Sequence, residues 1–313
     1  MVKKILTLAA MLSLLGCSQE LPGPTAEEHK AEIKAWQAER NASIGSANGW
    51  LSLVGLCWLE PGLNQLGNGS GADCEVDYHK VPADLGSIDL SAQGALYFGP
   101  ASRSVTDADG NPVERIGLAD DRQRKPTVLH YGSLRFYLIE RFGEIGVRMR
   151  DIESDAIQEF TGLDYFPIDL EWRKIATFEP YPEPQGVNII NILGMEEAMR
   201  SPGEIVFEHE GEEYRLLVIQ QDESSPWFVM LADATSGRGS YGAGRYIYID
   251  PPVQLPDQPP MTVIDFNKVY NPPCAFTALA TCPLPPMQNR LPLAITAGEK
   301  EYKSENAWQG DTG

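Results

Sequence analysis

The chain is poor in positive charge, in histidine and in long apolar stretches, and each shortage removes a class of function. Lysine and arginine number 25 against 44 aspartates and glutamates, a net charge of −19, and −21 once the two charges of Lys3 and Lys4 leave with the leader described below. So acidic a chain is a poor partner for nucleic acid and has no electrostatic grip on anionic lipid. The four histidines, His29, His79, His130 and His209, are scattered, with no H-x-H, H-E-x-x-H or C-x-x-C pattern. Spacing therefore supports no metal site. No serine stands in G-x-S-x-G, the turn that exposes a hydrolase nucleophile. There is no internal repeat, and no cofactor is indicated.

What is present begins at the N-terminus. Lys3 and Lys4 precede an apolar run, Ile5 to Leu15, that ends in Leu14-Leu15-Gly16-Cys17. The run is far shorter than the ~20 residues of a spanning helix. A positive start, a short apolar run, a small residue at the cut and then a cysteine form the layout of a bacterial lipoprotein signal. Residues 1–16 read as the signal peptide, and the mature chain is expected to start at a lipidated, palmitate-bearing Cys17 held at a membrane. Ser18 occupies the place where an aspartate gives inner-membrane retention, which points to the outer membrane, facing the periplasm. With Cys17 given to lipid, Cys57, Cys74, Cys274 and Cys282 remain. In an oxidising compartment four cysteines allow three pairings. Cys274–Cys282 is favoured because it closes a short proline-rich loop. Cys57–Cys74 is the default for the other two, with a free buried thiol at Cys57 as the alternative.

Residues 18–24 read as a tether. Thr25-Ala26-Glu27-Glu28 is a capping box that starts a helix running to about Asn41, so residues 17–44 form tether and helix. From Trp50 the pattern changes to short strands and turns, with 29 glycines and 24 prolines distributed among them. Hairpins are expected within Thr127–Glu140 and across Glu210-Gly211, with further strands at Ile145–Met149, Trp227–Ala232, Arg245–Ile249 and Met261–Phe266. A second helical pattern is confined to Gly194–Met199. The fold class is all-β. An acidic, turn-rich stretch at Asp151–Asp155 divides it into a first β unit over 45–151 and a second, meander or barrel-like unit over 152–303. Residues 304–313 read as a disordered tail.

Few motifs carry chemistry. Gly237-Arg238-Gly239-Ser240-Tyr241-Gly242 spells G-x-G-x-x-G, but a strand follows it where a dinucleotide site needs a helix. It reads as a β connection. Asp107-Ala108-Asp109-Gly110-Asn111 begins like a calcium loop yet holds Pro112 and Leu118 where glycine and the bidentate glutamate belong. It reads as a turn. His209 abuts a hairpin tip and is expected to be solvated. Hydrogen-bonding residues crowd the last fifty positions, and Asp265, Asn267, Tyr270, Asn271, Asn289 and Arg290 become candidate ligand-binding residues on rigid loops. Satisfying irregular backbone is an equally ready use for their side chains.

The N-P-P-C-A-F run at Asn271–Phe276, T-C-P-L-P-P at Thr281–Pro286 and Asn289-Arg290-Leu291 resemble the bacterial and archaeal family known as domain of unknown function 1684. Gly49–Leu56, Arg148–Asp151, Phe166–Asp169, Trp172-Arg173 and Tyr241–Arg245 are in the same style, so the resemblance spans roughly Gly49 to Lys300. Cys57 departs from it, standing where the family has an aromatic, and Leu66–Val81 is less regular. The resemblance implies no activity and no catalytic residues. It suggests a forkhead-associated-like β-sandwich for the first unit, by fold analogy alone. No counterpart of a phosphothreonine-reading serine and arginine stands around Gly67–Tyr78.

Three functions follow as expectations. Arg148, Arg150 and Arg245, set in an acidic chain, suit recognition of a small polar or anionic ligand by a periplasm-facing lipoprotein, with Tyr241 beside them. The alternative is an envelope hydrolase using Asp265 as acid or base, Tyr241 or Tyr270 as proton partner and Arg245 as oxyanion stabiliser. The third is structural, with the arginines paired to Asp151, Asp169 and Asp265 between the two units.

Overall fold

The computed structural model describes residues 23–303 except 92–95, 221 and 223. The signal segment, Cys17 and the tail 304–313 lie outside the described residues. Helix α1 (Ala26–Ile44) is capped as its sequence dictates, with the Thr25 hydroxyl accepting from the Glu28 amide and the Glu28 carboxylate accepting from Thr25. Among the described residues no helix is long and apolar enough to cross a membrane.

The first β unit runs through β1 (Leu53–Trp58), β2 (Gly62–Gly67), β3 (Cys74–Glu75), β4 (Gly86–Leu90), β5 (Leu96–Pro100), β6 (Ile116–Gly117), β7 (Leu129–Tyr131), β8 (Leu134–Arg141) and β9 (Glu144–Asp151). They form two sheets, ordered β1-β9-β8-β7 and β3-β2-β4-β5-β6. Alternation along the strands places Leu134, Phe136, Leu138, Val147 and Met149 of one sheet against Leu66, Ile88 and Phe98 of the other in a continuous core. Each such side chain contributes roughly 1.5–3 kcal/mol by leaving water. The disulfide is Cys57–Cys74, which ties β1 to β3 and so one sheet to the other. The bond expected at Cys274–Cys282 is absent. Both are free, buried thiols, and the Cys274 amide donates to the Cys282 sulfur.

A single helical turn, α2 (Asp155–Gln158), separates this unit from β10 (Arg173–Ile190), β11 (Glu196–His209), β12 (Glu212–Val218), β13 (Trp227–Leu231), β14 (Arg245–Ile249) and β15 (Met261–Asp265). One sheet is ordered β12-β11-β10-β15, and β13-β14 is a separate two-stranded hairpin. The second unit is therefore a sheet with a hairpin packed on it and no closed barrel, around a core that includes Trp172, Phe207, Trp227, Ile247 and Phe266. The β11–β12 turn falls at Glu210-Gly211, both at positive φ (52° and 82°), as the sequence requires. The helical pattern read at Gly194–Met199 is strand from Glu196 onward, because pairing with Ile189 and Ile190 of β10 overrides the local preference. His209 is half-buried and stacked on Trp172 with centroids 4.4 Å apart.

After β15 the chain has little regular structure and returns along α1. Gly298 makes this close: its φ is +76°, and a Cβ there would stand 2.3 Å from the Val269 carbonyl oxygen. Only glycine fits.

Candidate functional site

Strand β9 is central in its sheet, between β1 and β8. Because side chains alternate, Val147 and Met149 enter the sandwich core and Arg148 and Arg150 must face the other way. On β14 the same rule sends Ile247 and Ile249 into the second core and Tyr246 and Tyr248 to the opposite face. The two outward faces meet across a cleft of about 670 Å³ between the units. Trp50, Glu140, Arg141, Phe142 and Arg148 line it from the first unit. Glu197, Met199, Ile219, Ser225, Pro226, Phe228, Tyr246 and Tyr248 line it from the second. Pro273, Ala280, Thr281, Cys282 and Pro283 close it from the C-terminal loops.

Arg148 is the unusual group. It is only 3% exposed, and its Nε has no hydrogen-bond partner. Among the described residues no carboxylate lies within ion-pair distance of it. Its guanidinium packs 5.8 Å from the Trp50 ring centre. Burial, with Arg141 and Arg150 nearby, pulls its pKa below the usual arginine value. Arginine is so basic that it stays charged all the same. A buried, uncompensated cation is costly unless something supplies the opposite charge.

The neighbouring arginines are already engaged. Arg141 pairs with Asp121 at 2.6 Å. Arg150 donates to the carbonyls of Asn48 and Gly49, to the Ser52 hydroxyl and to the Tyr137 hydroxyl, clamping the turn that carries Trp50. Arg245 is fully buried and donates to Asp233 and to the carbonyls of Ile295, Ala297 and Glu299. Burial lowers its pKa and Asp233 opposes the shift. It is a pin between β14 and the C-terminal segment.

The candidates from the last fifty residues do not converge on one pocket. Asp265 faces His29 of α1 at 2.7 Å and accepts from Asn267. Asn267 also exchanges hydrogen bonds with the Asp169 backbone. Asn271 donates to Glu299 and Lys300, and Asn289 ties β12 to β13 through Leu217 and Met230. Arg290 is exposed. Tyr241 is buried and donates to the Cys274 carbonyl, and burial drives its pKa far up. Tyr270 stacks under Arg40 of α1, 4.7 Å from its ring centre, and touches Tyr246 and Tyr248 from behind. Of the ten candidates, Arg148 alone lines the cleft. The walls Trp50, Phe228, Tyr246 and Tyr248 were not singled out by their sequence. The signal that marks two of them is the Tyr-Ile-Tyr-Ile alternation in a strand apolar on both faces. The Asp107 loop is a turn in which Asp107 accepts from the Asp109 and Asn111 amides. Among the described residues no group of three or more histidines, cysteines and acids is arranged around a metal position.

The fold and cleft thus define a two-unit β protein with a buried arginine at the seam. Residues 158–300 match the model of a family described as protein of unknown function, DUF1684, and the chain belongs to that family. The matched segment starts after the first β unit. Among solved structures, the solution NMR structure of an uncharacterized protein of Haloarcula marismortui is 33% identical over 46% of this chain and 78% of that one, with a TM-score of 0.39. No curated protein matches the chain.

Proposed function

We propose that the protein is a lipid-anchored envelope protein whose cleft between the two β units binds a small ligand carrying an anionic group, with Arg148 as its anchor. The observation that carries this reading is the guanidinium itself: buried, without a counter-ion and facing a cavity of ligand size. Pockets of a few hundred Å³ at unit boundaries, apolar with a few placed polar groups, are the usual form of a small-molecule site. The hydrolase reading has no such support, since Asp265 is held by His29 and Asn267 and does not line the cleft. Lipidation rests on the leader and Cys17, and outer-membrane placement on Ser18.

A thermal-shift screen of small organic and inorganic anions against the wild type and Arg148→Met tests the binding. At least one anion should raise the wild-type melting temperature and leave the variant unmoved. Equal shifts in both proteins, or none in either, would remove the proposal. Fractionation of cells expressing Cys17→Ala tests the anchor: the variant should leave the membrane fraction.

A further inference from the structure

The lining of the cleft narrows the ligand class. Among the described residues, the lining includes no Asn, Gln, His or Lys, side chains with which proteins read sugars, nucleobases and peptides through paired hydrogen bonds. Apolar and aromatic surface takes their place: Trp50, Phe142, Met199, Ile219, Phe228 and Tyr248. Tyr246 is no free donor either, because its hydroxyl already donates to the Pro283 carbonyl.

The charges set a second limit. Arg148 is the cleft's uncompensated cation, since Arg141 is paired with Asp121. Glu140 and Glu197 line the same space, and the whole chain carries −19. One negative charge at Arg148 is neutralised. A second, as on a phosphate ester or a diacid, meets those carboxylates and is repelled.

We infer that the ligand is an amphipathic monocarboxylate, an organic acid whose carboxylate is held by Arg148 and whose apolar body lies against the aromatic walls contributed by β13 and β14. Arginine's planar fork matches a carboxylate bidentately. The cation–π contact with Trp50 holds the guanidinium in place before the ligand arrives. The inference rests on the anion-binding reading and adds the body to the head.

The test is calorimetric titration of the full mature chain carrying Cys17→Ser, which keeps every other residue and removes the lipid. The probes are hexanoate, octanoate and decanoate, with octan-1-ol and inorganic phosphate as controls. Affinity should rise about fourfold for each added methylene, as burial of one CH₂ dictates. Octanoate should bind at least tenfold more tightly than octan-1-ol. Arg148→Met should erase that acid-over-alcohol preference while keeping the chain-length dependence, and Arg148→Lys should retain part of it. Phosphate binding as tightly as decanoate, and lost in Arg148→Met, would overturn the monocarboxylate class and leave anion binding standing. Alcohol and acid binding equally would remove both, because Arg148 would then take no part. Failure of every probe in a protein that melts cooperatively would also remove both.

Discussion

Two buried arginines should respond in opposite ways to the same substitution. Arg245→Met strands the partners of a cation that is ion-paired with Asp233 and bonded to three carbonyls. Asp233 keeps the donors on its Oδ1, from Thr235 and Ile295, but its Oδ2 loses the guanidinium. The carbonyls of Ile295, Ala297 and Glu299 lose their donor in a dry interior. Removing one member of a buried ion pair costs about 3–5 kcal/mol, and each orphaned acceptor adds to this, about 1–3 kcal/mol where no water replaces the donor. The net expectation is a loss of about 4 kcal/mol or more. Arg148→Met strands no ion-pair partner. It gives up a cation–π contact of about 0.5–1 kcal/mol with Trp50, and it relieves the desolvation of an unpaired charge. Replacing buried ionic groups by apolar ones of similar volume is often neutral or stabilises by about 1–4 kcal/mol. The variant should be as stable as the wild type or more stable, by up to about 3 kcal/mol. Urea unfolding of both variants, followed by circular dichroism and tryptophan fluorescence, measures the difference. A loss above about 2 kcal/mol in Arg148→Met would show that this guanidinium holds the two units together, and the reasoning from its missing counter-ion would collapse.

Other outcomes follow from local geometry. Cys57→Ala with Cys74→Ala opens a cross-link of sequence separation 17, which should lower stability by about 3 kcal/mol in calorimetry; reduction of the wild type should reproduce the loss. Burial alone would raise the Asp151 carboxyl, but hydrogen bonds from Lys80, Tyr78 and Ser133 outweigh it and hold the pKa at about 2. Its folded value is thus depressed below the ordinary aspartate value of about 3.9, so its stabilisation is present above that value and is lost as pH falls through about 2. Lys80→Met should therefore move the acid-unfolding midpoint to higher pH, and an unchanged midpoint would count against the pairing. Gly298→Ala forces a Cβ to 2.3 Å from the Val269 oxygen at a φ of +76°, so it should destabilise by at least about 2 kcal/mol in the same urea assay.

The strands were legible where one rule governed them. Alternation located β8, β9 and the β11–β12 hairpin, and the Glu210-Gly211 turn set its register. It failed at Glu196–Met199, where the local helical pattern yields to pairing along the length of β10. The site was half legible. Arg148 stood out as a cation in an acidic chain, but so did Arg245, and residue type does not reveal which has Asp233 waiting for it. The polar C-terminal residues were visible as a group. Their use was not, because Asn267, Asn271 and Asn289 satisfy backbone brought from 98, 29 and 72 residues away. Cysteine pairing was half legible for a similar reason: Cys57–Cys74, the default for its two residues, forms and joins two sheets, whereas Cys274 and Cys282, close in sequence across a short proline-rich loop, stay free thiols.

The return of the last described stretch to α1 has a consequence for how the molecule is made. Glu299 receives Arg40 of the helix at 2.8 Å and the Asn271 amide, while the carbonyls of Ile295, Ala297 and Glu299 receive Arg245. Part of what holds Arg40 and Arg245 therefore arrives last. During synthesis, Arg40 waits for Asn271 and Glu299, and Arg245, already supplied with Asp233, waits for the carbonyls of Ile295, Ala297 and Glu299, whereas β1 to β9 contain all their own strand partners. The first unit can assemble while the second is still being delivered. The seam between them, with its cleft, is set only when the C-terminal segment locks, so a chain cut before Ile295 should yield a folded first half and no binding site.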